Sequence, residues 1–104
     1  MSNKCCIILT TTDDIDVAEK ISKSLIDGNL AACVQLEEVS SYFKYEGNFR
    51  KEKEYKLTIK ASDASYNDIA DLICLEHNYE LPQVIKINID EGTEKYINWL
   101  INKE

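Results

Sequence analysis

Glycine and proline are scarce: the 104 residues hold three Gly and one Pro. That excludes collagen-like, linker and low-complexity classes. Positive charge is also short. Lys and Arg number 12 against 19 Asp and Glu, a net charge of −7, and the most basic stretch, Arg50-Lys51-Glu52-Lys53-Glu54, alternates base with acid. Such a chain repels phosphate backbones, so a nucleic-acid partner is not expected. The longest apolar runs, such as Cys5 to Leu9, are far too short to cross a bilayer, and no membrane span is expected. The start, Met1-Ser2-Asn3-Lys4-Cys5-Cys6, shows no basic region followed by a full apolar stretch, so no export signal is expected. There is no C-x-x-C, no G-x-G-x-x-G and no phosphate-loop sequence, and only one His. Redox-pair, zinc-ribbon and nucleotide-loop chemistry therefore find no motif.

What remains is a 44% hydrophobic, acidic chain, enough for one core and read as a single domain over 1–104. The four cysteines do not form a disulfide framework. Cys5 and Cys6 are adjacent and face opposite sides of a strand, while Cys33 and Cys74 are expected as small buried hydrophobes. Four unpaired thiols fit a reducing compartment, and a cytoplasmic location is expected.

Cys5–Leu9 is a continuous apolar strand. Thr10 to Asp14 then supplies cap residues for a helix with Val17, Ile21 and Leu25 on one stripe, Ala18 and Ile26 beside it, and Asp16–Lys20 and Glu19–Lys23 as outward i,i+4 pairs. Asp27-Gly28-Asn29 stops it, with Gly28 or Asn29 able to take the left-handed position. Two long runs, one from Leu30 to Tyr45 and one in which Tyr55, Leu57, Ile59 and Ala61 alternate with polar residues, form an antiparallel hairpin turning at Glu46-Gly47-Asn48. A ribbon that long outreaches one small core and leaves edges for a partner. Ser65-x-x-Asp68 reads as a capping box opening a second helix with Tyr66, Ile69, Ala70, Ile73 and His77 on one stripe. Leu81–Ile89 is extended, and Gly92-Thr93 introduces a short last helix with Tyr96, Ile97, Leu100 and Ile101 on its apolar side. The order β-α-β-β-α-β plus a helix is the split βαβ plan.

Few residues could carry chemistry. His77 could serve Cys33 or Cys74 as base, but nothing places an oxyanion hole or orienting acid beside them. His77 with Cys and carboxylate neighbours could form a mixed copper or zinc site, completed between subunits because one chain lacks the ligands. The competing reading of His77 is a helix-end imidazole packing on Tyr79 or bonding a backbone carbonyl. Thr10-Thr11-Thr12 could hold a small anion, with ordinary capping as the plainer role. Tyr42, Phe43, Tyr45 and Phe49 are read as interface aromatics. Glu52-Lys53-Glu54 is read as a solvated strand face.

Several pieces occur together: Thr10-x-x-Asp13, Leu30-Ala31-Ala32-Cys33-Val34, Ser41-Tyr42-Phe43-Lys44-Tyr45-Glu46-Gly47, Glu54 six residues before Lys60, His77-Asn78-Tyr79-x-x-Pro82, and Gly92-x-x-x-Tyr96-x-x-Trp99-Leu100. In that order and spacing, from about Cys6 to Leu100, the chain resembles the CutA family of divalent-cation tolerance proteins. The resemblance implies an α+β, ferredoxin-like split β-α-β sandwich with a long β-hairpin and a short C-terminal helix, assembled as a homotrimer. It implies a part in divalent-cation, notably copper, tolerance without catalysis. No cofactor is required, and Cu2+ or another divalent cation is the candidate ion. An inter-subunit cleft would offer His77, Cys33 and Glu54 to a metal, and Tyr42, Lys60, Tyr79 and Trp99 to a ligand. The alternative is a small-ligand sensor or scaffold of the kind built by PII signalling proteins, with a protein partner not named by the sequence. Where some copper-binding relatives have Cys and a second His, this chain has Thr10 and Glu76, a poor copper ligand and a harder one.

Overall fold

The computed structural model describes residues 5–102. The first four residues of the start examined for an export signal lie outside that range. Four strands and three helices follow one another as β1 (Cys5–Thr12), α1 (Ile15–Asp27), β2 (Cys33–Tyr45), β3 (Asn48–Ser62), a 3-10 turn at Asp63–Ser65, α2 (Tyr66–Glu76), β4 (Ile85–Ile89) and α3 (Glu94–Asn102). The sheet runs β2-β3-β1-β4, antiparallel throughout, the strand order of the split βαβ plan. Only the last five residues of the extended Leu81–Ile89 stretch are strand.

Alternation assigns the two faces of this sheet. Cys6, Ile8, Leu57, Ile59 and Ala61 are buried beneath Ala18, Ile21 and Leu25 of α1 and Ile69 and Ile73 of α2. Val17 packs at the margin of this core, while Ile26, expected beside the stripe, is 45% exposed. Thr10 points into the same core, its buried hydroxyl having no hydrogen-bond partner. The opposite face carries Ile7, Lys60, Cys33 and Ile87 in one cross-strand row. Here α3 lies against β1 and β3, with Leu100 buried and Lys60 Nζ 5.7 Å from the centre of the Tyr96 ring.

Helix ends follow local chemistry. Asp14 caps α1, its Oδ1 accepting from the amides of Asp16 and Val17 at 2.9 and 3.3 Å. The anion reading of Thr10–Thr12 is therefore corrected: the chain's own carboxylate fills that place. Leu30 N donates to Leu25 O and Asn29 N to Ile26 O, with Asn29 at φ +58°, a Schellman stop with Asn rather than Gly28 in the left-handed position. Lys23 pairs with Asp27 rather than Glu19. Ser65 precedes α2 without a side-chain cap bond, so the capping box does not form. Cys74 is exposed, because the buried stripe of α2 passes through Ile69 and Ile73 and leaves position 74 outside.

The hairpin outruns the sheet. β1 pairs with β3 only over residues 55–62, whereas β2 pairs with β3 from Cys33↔Lys60 to Tyr45↔Asn48. Residues 48–54 of β3 thus form a two-stranded ribbon, and the molecule measures 46 × 26 × 21 Å. The turn holds Glu46 at φ +52° and Gly47 at φ +81°, the two left-handed residues of a tight hairpin whose twist suits the strands.

Candidate functional site

The segment after α2 is laced across the end of β1. His77 stops the helix, its amide still donating to Ile73 O at 2.9 Å. Its side chain then turns inward. Nε2 lies 2.8 Å from Thr11 O, and Nδ1 accepts from Tyr79 N at 3.0 Å. A carbonyl can only accept and an amide only donate, so these contacts assign the proton to Nε2 and leave no ring nitrogen free. The rings of His77 and Tyr79 sit 4.8 Å apart. The plainer reading of His77, a helix-end imidazole against Tyr79 and a carbonyl, holds on both counts. A Cys74–His77 catalytic pair finds no base.

Asn78 extends the lacing. Its Oδ1 accepts from Thr12 Oγ1 at 2.6 Å, and its Nδ2 donates to Asp13 Oδ1 at 2.8 Å. Tyr79 then reaches the ribbon, its hydroxyl donating to Glu54 Oε2 at 2.7 Å. Glu54 is only 7% exposed, which corrects the reading of Glu52-Lys53-Glu54 as a uniformly solvated face. Burial, together with the bond to the Glu54 carboxylate, pushes the Tyr79 phenol well above its ordinary value. It stays protonated and donates.

Between this segment and the ribbon is an open groove of about 490 Å³, walled by Phe43, Tyr45, Glu52 and Glu54 on one side and by Tyr79, Glu80 and Leu81 on the other. At the far end of the domain a hollow of about 380 Å³ lies beside α3, next to Cys5 and Ile97. Burial first, and the Asp63 carboxylate second, raise the thiols of Cys5 and Cys6, which makes them poor thiolates.

The structure sorts the seven expected site residues into three places. Glu54 and Tyr79 meet at the groove, and His77 packs on Tyr79 and bonds Thr11 without lining it. Cys33 lies directly across from Lys60, and Lys60 touches Tyr96, whose ring is 5.6 Å from Trp99. Lys60 lies six positions beyond Glu54 along β3, a span of roughly 20 Å, so one chain does not bring Cys33 to Glu54. Tyr42 stands apart on the other face of the ribbon, beneath Lys51. Among the described residues no group of three His, Cys, Asp or Glu side chains is placed to hold a metal ion. Within one chain, then, His77, Cys33 and Glu54 do not fit copper. Asn78 and Tyr96 are the side chains whose structural part the sequence reading missed. Tyr96, three residues from Trp99 on one helix, carried the only prior signal.

The family model described as CutA1 divalent ion tolerance protein matches residues 6–103. A divalent-cation tolerance protein CutA of Pyrococcus horikoshii is 32% identical over 97 residues, covering 93% of this chain and 95% of that protein. Among solved structures, CutA1 from Oryza sativa superposes with a TM-score of 0.92 at 26% identity, over 98% of this chain and 94% of that one. A protein titled the periplasmic divalent cation tolerance protein CutA, from Archaeoglobus fulgidus, gives 0.91 at 26% identity, over 95% and 97%.

Proposed function

This chain belongs to the CutA1 divalent ion tolerance family, and from that premise we propose that it assembles as a homotrimer serving the response to divalent cations, copper among them. Metal is bound weakly in a cleft between copies, and the protein performs no catalytic step of its own. The observation that carries this reading is the half-covered face of the sheet. Ile85 and Ile87 of β4 are each 47% exposed there, Tyr96 and Trp99 of α3 are also exposed, and Cys33 and Lys60 lie on the same face as Ile87. An exposed apolar surface of this kind marks an interface, and copies meeting over it would supply from neighbours the ligands one chain keeps apart. Four free thiols support a cytoplasmic setting. No helix is long and apolar enough to cross a membrane among the described residues.

Native mass spectrometry with copper(II), cysteines kept reduced, tests this. The reading expects a trimer that takes up about one metal per chain and loses it in His77→Ala. A trimer that stays metal-free would leave the assembly standing and move the function to the second reading, a PII-like ligand sensor or scaffold with a protein partner. That reading is favoured by one specific observation: both His77 nitrogens are already engaged, so a metal must first displace Thr11 or Tyr79.

A further inference from the structure

Charge does not balance in the groove beside Tyr79. Asp13, Glu52, Glu54 and Glu80 line it together with one cation, Arg50, and that guanidinium is held by Glu52 at 2.7 Å. Three carboxylates remain. Asp13 receives the neutral Asn78 amide at 2.8 Å, and Glu80 makes no ion pair among the described residues.

Glu54 differs from the others in its burial. It is 7% exposed, yet no cation lies within ion-pair reach of it among the described residues. Its hydrogen bond from the Tyr79 hydroxyl goes to Oε2 and leaves the net charge in place. Among the described residues Oε1 has no partner, and Glu54 lines the groove. A carboxylate buried without a counter-charge costs free energy, which an incoming cation offsets.

The walls decide the kind of cation. Phe43, Tyr45 and Leu81 are 41%, 57% and 88% exposed, and none of them ligates a metal. Among the described residues no three His, Cys, Asp or Glu side chains are placed to hold one. A divalent ion such as Mg2+ keeps its waters and gains nothing from apolar walls. Aromatic faces attract ammonium groups, and methylene chains lie along apolar surface. The volume of about 490 Å³ is that of a small-molecule cleft, which spans about 300–1,000 Å³. We infer that the groove binds a linear aliphatic polyamine, with one ammonium on Glu54, another on Glu80, and the methylenes between them over Phe43, Tyr45 and Leu81. This names a ligand class for the second reading above, the small-ligand sensor, and rests on that reading.

Calorimetric titration with spermidine at low salt tests it, on the protein in its solution assembly. Wild type is compared with Glu54→Gln, Glu80→Gln and Glu19→Gln, and far-UV circular dichroism checks folding. Glu54→Gln keeps an acceptor for Tyr79 and removes the charge. Glu80 is on exposed loop surface, and Glu19, exposed on α1, lies outside the groove and controls for net charge. About one spermidine per chain is expected in the wild type. Binding weakens about tenfold or more in Glu54→Gln and Glu80→Gln, as when a hydrogen bond to a charged group is lost. It stays unchanged in Glu19→Gln, and sodium and magnesium chloride of equal ionic strength weaken it alike. No saturable binding to the wild type, an equal loss in all three variants, or selective displacement by Mg2+ overturns the inference. The sensor reading fails separately, if the copper titration above finds metal held through His77.

Discussion

The Tyr79 hydroxyl donates to Glu54 Oε2 at 2.7 Å, joining the segment after α2 to the base of a ribbon 25 residues earlier. Glu54 is nearly buried at this point, so the phenol is the group that satisfies its charge. Tyr79→Phe should destabilise the protein by about 1.5–3 kcal/mol, the range for a hydrogen bond to a charged group. Glu54→Gln keeps an acceptor and should cost less. Urea melts of the three proteins check the order.

The same phenol carries a pH dependence. Burial, and then the Glu54 bond, raise its folded pKa, whereas in the unfolded chain a phenol titrates near about 10. The folded state therefore holds this proton more tightly. The stabilisation is fully present below the unfolded value and is lost as pH climbs through the folded one. Stability should fall more steeply above about pH 10 in the wild type than in Tyr79→Phe. Parallel slopes would count against the assignment.

His77 holds Thr11 and Tyr79 through its two nitrogens. Removing it in His77→Ala should free the Tyr79 amide, seen as faster hydrogen exchange across residues 78–83, while exchange in β3 and α1 stays slow.

Thr10 is fully buried and its hydroxyl has no partner. Thr10→Val keeps the shape and removes an unsatisfied polar group. A gain of about 1 kcal/mol is expected, within the range for such groups, measured by thermal melting.

The hairpin turn offers a test of backbone conformation. Gly47 sits at φ +81° with open space around it, so Gly47→Ala should cost about 1–2 kcal/mol from conformation alone. Glu46→Asn, at φ +52°, should stabilise, because Asn-Gly suits this turn.

Much of the fold can be read along the chain because its elements are written in local periods. The alternation of Tyr55, Leu57, Ile59 and Ala61, the α1 stripe and the Glu46-Gly47 turn each depend on neighbours a few residues away, and each forms where the pattern puts it. Long-range partners are a different matter. Glu54 looks solvated in sequence because Glu52 and Lys53 precede it; Tyr79, far along the chain, covers it. Cys74 looks like a core thiol because apolar residues surround it in sequence, yet the helix turns it outward. The site divides in the same way. His77 and Tyr79 are two residues apart in sequence and meet, but Cys33 lies in register with Lys60, and only the pairing of β2 with β3 reveals its distance from Glu54.

The central claim is that this chain completes its cleft by assembling over the exposed sheet face. The most direct measurement is the solution mass of the wild type beside Ile87→Lys, which places a charge on that face without touching the core beneath α1 and α2. Three chains of 11.9 kDa each are expected in the wild type, and folded monomers in the variant. A wild type that sediments as a monomer, or a variant that remains trimeric with unchanged affinity, would contradict it.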